Sequence, residues 1–164
     1  MIFVTVGTAG KGIDFTRLIE EMDRITPLLG REVLIQRGPA DYEPRHARHV
    51  RYVPFDEAVR LFREAELVVG HAGAGTVLMA LRFRKPMVIV PRRMDAGELD
   101  TDDHQMQLAE PLSQMRGVRV VNDVARLEAT IRELLDSGER PEPSHERQQL
   151  VAAVREFIAS PRKA

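Results

Sequence analysis

His71-Ala72-Gly73-Ala74-Gly75-Thr76 is the segment of this chain best suited to hold an anion. It follows the apolar run Leu67-Val68-Val69, which reads as a buried parallel strand. It precedes Val77-Leu78-Met79-Ala80-Leu81, which reads as a helix. A glycine-rich turn in that position presents unpaired backbone N–H groups and the positive end of a helix dipole. Gly73 and Gly75 carry no Cβ, so a phosphate can approach their backbone closely. The same residues also fit a tight turn with no ligand, because short glycine motifs recur by chance. His71 is then either a structural imidazole or a group that faces the ligand.

Three further polar segments are candidates. Gly7-Thr8-Ala9-Gly10-Lys11-Gly12 can wrap a phosphate, but it has neither the P-loop spacing nor a clean G-x-G-x-x-G. Lys11 fits a solvated loop lysine better than a phosphate counter-charge. Arg92-Arg93 can pair with a diphosphate or a sugar carboxylate. The pair can equally be a surface feature balanced by Asp95, Glu98, Asp100, Asp102 and Asp103. Asp102-Asp103-His104-Gln105 opens a predicted helix. Neighbours on a helix point in different directions, which disfavours a metal site there. The two aspartates suit the helix N-terminus, and His104 and Gln105 are placed to donate hydrogen bonds into a cleft. No Ser-His-Asp pattern suggests nucleophilic catalysis.

The elements that must position these residues follow from hydrophobic period. Strands are predicted at residues 2–6, 32–36, 49–54, 67–70, 85–91 and 118–121. Phe15, Leu18, Ile19 and Met22 mark a helix closed by Pro27 and Gly30. Asp56 is the predicted N-cap of a helix through Arg63 whose inward residues are Ala58, Val59 and Phe62. Further helices are predicted over 74–82, from Thr101 or Asp102 through Met115, and from an Asp123 cap to about Leu135. The alternation predicts an α/β fold, a Rossmann-like doubly wound parallel sheet of about six strands. Ligands of such sheets bind at the carboxyl ends of the strands, where Gly7–Gly12, Phe55, His71–Thr76 and Arg92–His104 all fall. Residues 1–136 form the predicted domain, 137–146 a polar linker, and 147–159 a C-terminal amphipathic helix that packs on its own domain or on a partner.

With 24 basic and 25 acidic residues in 164, the net charge of −1 shows no polyanion-binding footprint, and nucleic acid is not an expected partner. The absence of cysteine excludes disulfides and thiolate zinc sites. No apolar run reaches the roughly 20 residues of a bilayer span. The expected location is cytoplasmic, with any membrane contact made through a partner.

Taken in order, Met1–Thr8, Val53-Pro54-Phe55, His71–Thr76, Lys85-Pro86 with Val90-Pro91-Arg92-Arg93, and Asp103-His104-Gln105 resemble the C-terminal domain of glycosyltransferase family 28 over roughly residues 1–135. The Pro-Arg-Arg and Asp-His-Gln segments are similar to bacterial exopolysaccharide subunits of the glucuronosyl- or galactosyltransferase type. The resemblance implies the C-terminal half of a GT-B glycosyltransferase, binding a UDP-sugar as donor substrate without a cofactor or metal. It implies a membrane-associated partner subunit that binds a lipid-linked saccharide acceptor. Phe55 would lie at the uracil, and Gly73, Ala74, Gly75 and Thr76 at the diphosphate and ribose. His104 and Gln105, with Asp103 beside them, would contact the donor sugar. His71 would face the cleft, and Gly7 and Thr8 the acceptor side. His71 and His104 are the candidate catalytic side chains of this chain, and the general base is expected on the other one. Arg92 and Arg93 remain candidates for phosphate or a glucuronate carboxylate.

One position departs from the family pattern. Relatives often carry Glu three residues after the Thr, accepting both ribose hydroxyls, where this chain has Met79. A thioether cannot make that contact. Either another carboxylate, such as Asp95 or Glu98, replaces it, or ribose is held less tightly. A non-catalytic subunit that stabilises a partner transferase is the alternative that Met79 supports. Another GT-B-like UDP-sugar reaction is disfavoured by length, and an NAD enzyme by the wrong glycine spacing after the first strand.

Overall fold

The six predicted runs become six parallel strands in the computed structural model, which describes residues 1–7, 15–93, 98 and 109–142. They are β1 (Ile2–Thr5), β2 (Val33–Gln36), β3 (Arg48–Val50), β4 (Leu67–Gly70), β5 (Met87–Ile89) and β6 (Val118–Val120). Every residue of β1, β2, β4 and β5 is buried, as expected of strands covered on both faces. The order is β3-β2-β1-β4-β5-β6, with Thr5 beside Gln36 on one flank and beside Gly70 on the other. The chain winds outward in opposite directions from β1 and β4. Their carboxyl ends therefore flank the switch point, where connections diverge and leave a crevice.

Side-chain alternation divides the core into two layers. Ile2, Val4, Leu67, Val69 and Val88 point to α1 (Thr16–Leu29) and α4 (Leu127–Ser137). Phe3, Val68, Met87 and Ile89 point to α2 (Phe55–Glu64) and α3 (Ala74–Arg82). Phe3 and Phe62 meet edge to face, with centroids 5.2 Å apart.

Four boundaries differ from the sequence expectation. Pro27 does not close α1; it lies within the last turn, and Gly30, at φ 61°, supplies the left-handed residue that stops the helix. The third strand is Arg48–Val50 rather than 49–54, because β2, its neighbour among the described residues, ends opposite Val50. Pro54, not Asp56, precedes α2; Asp56 and Glu57 sit in its first turn, where they favour the dipole, and Leu61 rather than Ala58 or Val59 joins Phe62 in the core. Asp123 caps through its carboxylate, which accepts from the Ala125 N–H, but what it caps is a 3-10 turn, Val124–Arg126, ahead of α4.

A buried carboxylate holds the long β2–β3 connection. Asp23, on the core side of α1, accepts from the backbone N–H groups of Arg45, His46 and Ala47 at 2.9, 2.7 and 2.9 Å. It also accepts from the Tyr42 hydroxyl at 2.9 Å. Residues 139–141 lie against the β6 side of the sheet. Glu139 pairs with Arg119 at 2.9 Å, and the Pro141 carbonyl accepts from Arg84. The expected helix over 147–159 lies outside the described residues, as do residues 8–14, 94–97 and 99–108. No described helix is long and apolar enough to cross a membrane.

Candidate functional site at the carboxyl ends of β1 and β4

The helix predicted after the glycine turn is present as α3, with Gly73 as its N-cap in extended conformation. The first intrahelical bond runs from the Val77 N–H to the Gly73 carbonyl, at 3.0 Å. The N–H groups of Ala74, Gly75 and Thr76 consequently have no partner within the helix. Among the described residues no side chain caps them, and no acidic residue stands in the first turn. A Cβ built on Gly75 would meet nothing within 4 Å among the described residues, so this glycine is open at the helix start. Thr76 is buried, and its methyl group packs over Gly70, close to where a Cβ would stand there.

His71 leaves β4 directly beside Gly7, which leaves β1. Gly7 adopts φ +78°, a conformation that disfavours other residues, and its N–H donates to Thr5 Oγ1 at 3.1 Å. A Cβ on Gly7 would fall 2.6 Å from His71 Cε1, and one on Gly73 closer still to Nε2. The imidazole therefore occupies the room that two missing side chains leave. The Gly73 N–H turns back onto the His71 carbonyl at 2.8 Å. Nδ1 is buried, with no hydrogen-bond partner among the described residues.

Burial, and after it the positive Arg92 guanidinium, push His71 down from its ordinary 6.5 to about 4. The Thr5 carbonyl favours the protonated ring and is outweighed. At neutral pH the ring is uncharged, so it can offer one donor and one acceptor but no charge. The unfolded chain, with its histidine near 6.5, takes up this proton first as pH falls. Stability supplied by the neutral ring is complete above about pH 6.5 and is lost as pH falls toward 4. Urea midpoints measured across this window should fall with pH, and the fall should be shallower in His71→Gln.

The other predicted residues separate. Phe55 is 74 % exposed at the first position of α2, an aromatic face open for stacking, and Tyr52 just before it is half exposed. Met79 is half-buried and packs on the α2–α3 core layer. Arg92 does not project to a ligand edge. It is 2 % exposed, donates to the Val6 carbonyl at 2.6 Å and lies over the Phe15 ring at 5.3 Å. Arg93 is exposed, and its backbone N–H donates to Glu98. Glu98 is itself buried and engaged by Arg17 at 2.7 and 3.0 Å, so it is no spare acceptor for a ribose. Thr8, Lys11, Asp95, Asp103, His104 and Gln105 lie outside the described residues. Among the described residues no cluster of three or more histidines and carboxylates is arranged to hold a metal ion. Phe15, Arg17 and Glu98 support the site without any motif to announce them. Glu98 lies 81 positions from Arg17, and only folding brings them together.

A doubly wound parallel sheet with a glycine turn at its switch point defines the Rossmann-like class of α/β domain. Residues 1–159 match the family model for the glycosyltransferase family 28 C-terminal domain, and the chain belongs to that family. It is 38% identical over 69 residues to the UDP-N-acetylglucosamine transferase subunit ALG13 of Yarrowia lipolytica, a match covering 42% of this chain and 32% of that protein. The solution structure of an ALG13 is similar over 96% of both chains, at TM-score 0.62 and 17% identity. The MurG of Acinetobacter baumannii is similar at TM-score 0.54 and 18% identity, with 94% of this chain matched to 49% of that one. The kitacinnamycin glycosyltransferase superposes at TM-score 0.58 and 19% identity, over 96% of this chain and 39% of that one. At these identities the structural likenesses concern the fold. The chain spans about a third of the curated relative and less than half of most of these enzymes.

Proposed function

We propose that this chain is the donor half of a two-part GT-B glycosyltransferase, transferring a hexosyl or glucuronosyl residue from a UDP-sugar to a lipid-linked acceptor. The observation that carries the reading is the start of α3. Three backbone N–H groups there have no helical partner, no side-chain cap among the described residues and no acidic residue in their turn, and they adjoin an open glycine at the sheet's switch point. A diphosphate is the ligand that such a terminus favours. Phe55 supplies a face for the uracil, and the resemblance to ALG13 subunits favours a uridine nucleotide.

In this reading an acceptor hydroxyl displaces UDP at the anomeric carbon with inversion. The leaving diphosphate gains negative charge, and the fixed amide dipoles of Ala74, Gly75 and Thr76 stabilise it without reorganising. His71, neutral and walled in by Gly7 and Gly73, hydrogen-bonds rather than exchanging protons with the substrate. The general base and the acceptor site belong to a membrane-associated partner, which also brings this chain to the cytoplasmic face of the membrane. Surface-polysaccharide synthesis is the setting favoured by the Pro-Arg-Arg and Asp-His-Gln segments.

Calorimetric titration of the purified chain with UDP, UDP-glucose, UDP-glucuronate, UDP-N-acetylglucosamine and NAD tests the reading. Saturable, uridine-selective binding is expected, with little turnover until a partner is added. Binding of NAD in preference to UDP would overturn it, as would full transferase activity of the chain alone. A non-catalytic role predicts no uridine binding either alone or with the partner.

A further inference from the structure

Four buried or half-buried side chains behind the site form a connected set that nucleotide binding does not use. Phe15, at the entry of α1, is 1 % exposed. The Arg17 and Arg92 guanidiniums both lie at cation–π distance from its ring, at 5.5 and 5.3 Å. Arg17 holds the buried Glu98 through two hydrogen bonds and donates to the Pro91 carbonyl at 3.2 Å. Arg92 donates to the Val6 carbonyl, one residue before Gly7. Arg92 thus ties the chain leaving β5 to the chain leaving β1, one ring holds its guanidinium and that of Arg17, and Gly7 backs directly onto His71.

Burying charges is a poor way to gain stability, since apolar groups of similar volume usually do as well or better. What buried, hydrogen-bonded charges supply is a fixed geometry. Here each charge is tied to backbone at a strand exit: Arg17 and Glu98 at β5, Arg92 at β1. We propose that Phe15, contacted by both Arg17 and Arg92, is a brace that sets the separation of the β1 and β5 exits, with Arg92 the positioning residue that seats the His71 ring between Gly7 and Gly73. Its consequence for nucleotide binding rests on the function proposed above, whereas its consequence for the imidazole does not.

The test uses the full chain and two readouts: the His71 imidazole resonances followed through a pH titration, and calorimetry with UDP. In Arg92→Met the ring resonances should shift, and the midpoint should rise from about 4 toward 6.5. UDP affinity should fall about tenfold. Arg92→Lys, which keeps a charge but not the planar contact, should restore part of the low midpoint. Phe15→Leu leaves every charge in place and removes the shared ring, so it should shift the resonances by loss of geometry alone. Unchanged His71 resonances in folded Arg92→Met and Phe15→Leu would overturn the brace. Should Arg92→Met fail to fold by circular dichroism, Phe15→Leu decides alone. If the wild-type chain binds no UDP, the functional reading fails, and the imidazole readout still decides the brace.

Discussion

Gly75→Ala is expected to leave the protein as stable as wild type, or slightly more so, and to weaken UDP binding about tenfold. The two effects have separate causes. Gly75 lies in the first turn of α3, and a Cβ there meets nothing within 4 Å. Without ligand the methyl group is harmless, and alanine is favoured over glycine in a helix by roughly 0.5–1 kcal/mol. With a diphosphate seated on the Ala74, Gly75 and Thr76 amides, the same methyl group enters a close-packed contact. Overpacking of that kind costs about 1–3 kcal/mol, and about 1.4 kcal/mol is tenfold in affinity. Thermal unfolding and calorimetry on the one variant read both quantities. Wild-type affinity for UDP in Gly75→Ala would remove the phosphate from this helix terminus. Gly73→Ala is the contrasting case: its Cβ would strike His71 Nε2, so it should disturb the ring and lower stability as well as affinity.

The largest loss of stability is expected from Asp23→Ala. Its carboxylate is buried and accepts four hydrogen bonds, three of them from consecutive backbone N–H groups. Burial alone would raise its pKa, but those N–H groups and the Tyr42 hydroxyl outweigh it and hold the group near 2. Removing the acceptor strands several donors at once, at about 1–3 kcal/mol for each that water does not reach. A loss of about 3–4 kcal/mol follows, read as a lower urea midpoint with an unchanged slope. Because the folded pKa lies below the ordinary 3.8, this carboxylate contributes fully above about pH 4. Its contribution is lost as pH falls through about 2. Acid unfolding should therefore show two windows, the higher belonging to His71 and the lower to Asp23. In Asp23→Asn the lower window should disappear, and a lower limb as steep as that of wild type would show that the carboxylate does not carry it.

Strand and helix identity were legible because both periods are local. The runs 2–5, 33–36, 67–70 and 87–89 are buried at every position and apolar except at their carboxyl-terminal Thr5 and Gln36, and only a sheet covered on both faces accommodates that. The turn at 71–76 was legible for a similar reason: a strand, two glycines and a helical pattern follow one another within a few residues. Boundaries set by neighbours were not. The end of β3 depends on where β2 stops, and α1 runs past Pro27 because its last turn accepts a proline.

By itself the sequence determined the parallel α/β architecture, the family, and the position of the glycine turn at the carboxyl edge of the sheet. Tertiary structure alone decided what individual polar residues do there. Arg92 and Glu98 read as candidates for phosphate or ribose, yet folding buries both and commits them to Val6, Phe15, Arg17 and Arg93. His71 read equally as ligand-facing or structural until two glycines from different loops closed on its ring. The physical reason is range. Apolar periodicity repeats along the chain and is visible in one dimension, whereas a charged side chain's role depends on partners tens of residues away, whose approach exists only once the sheet has formed.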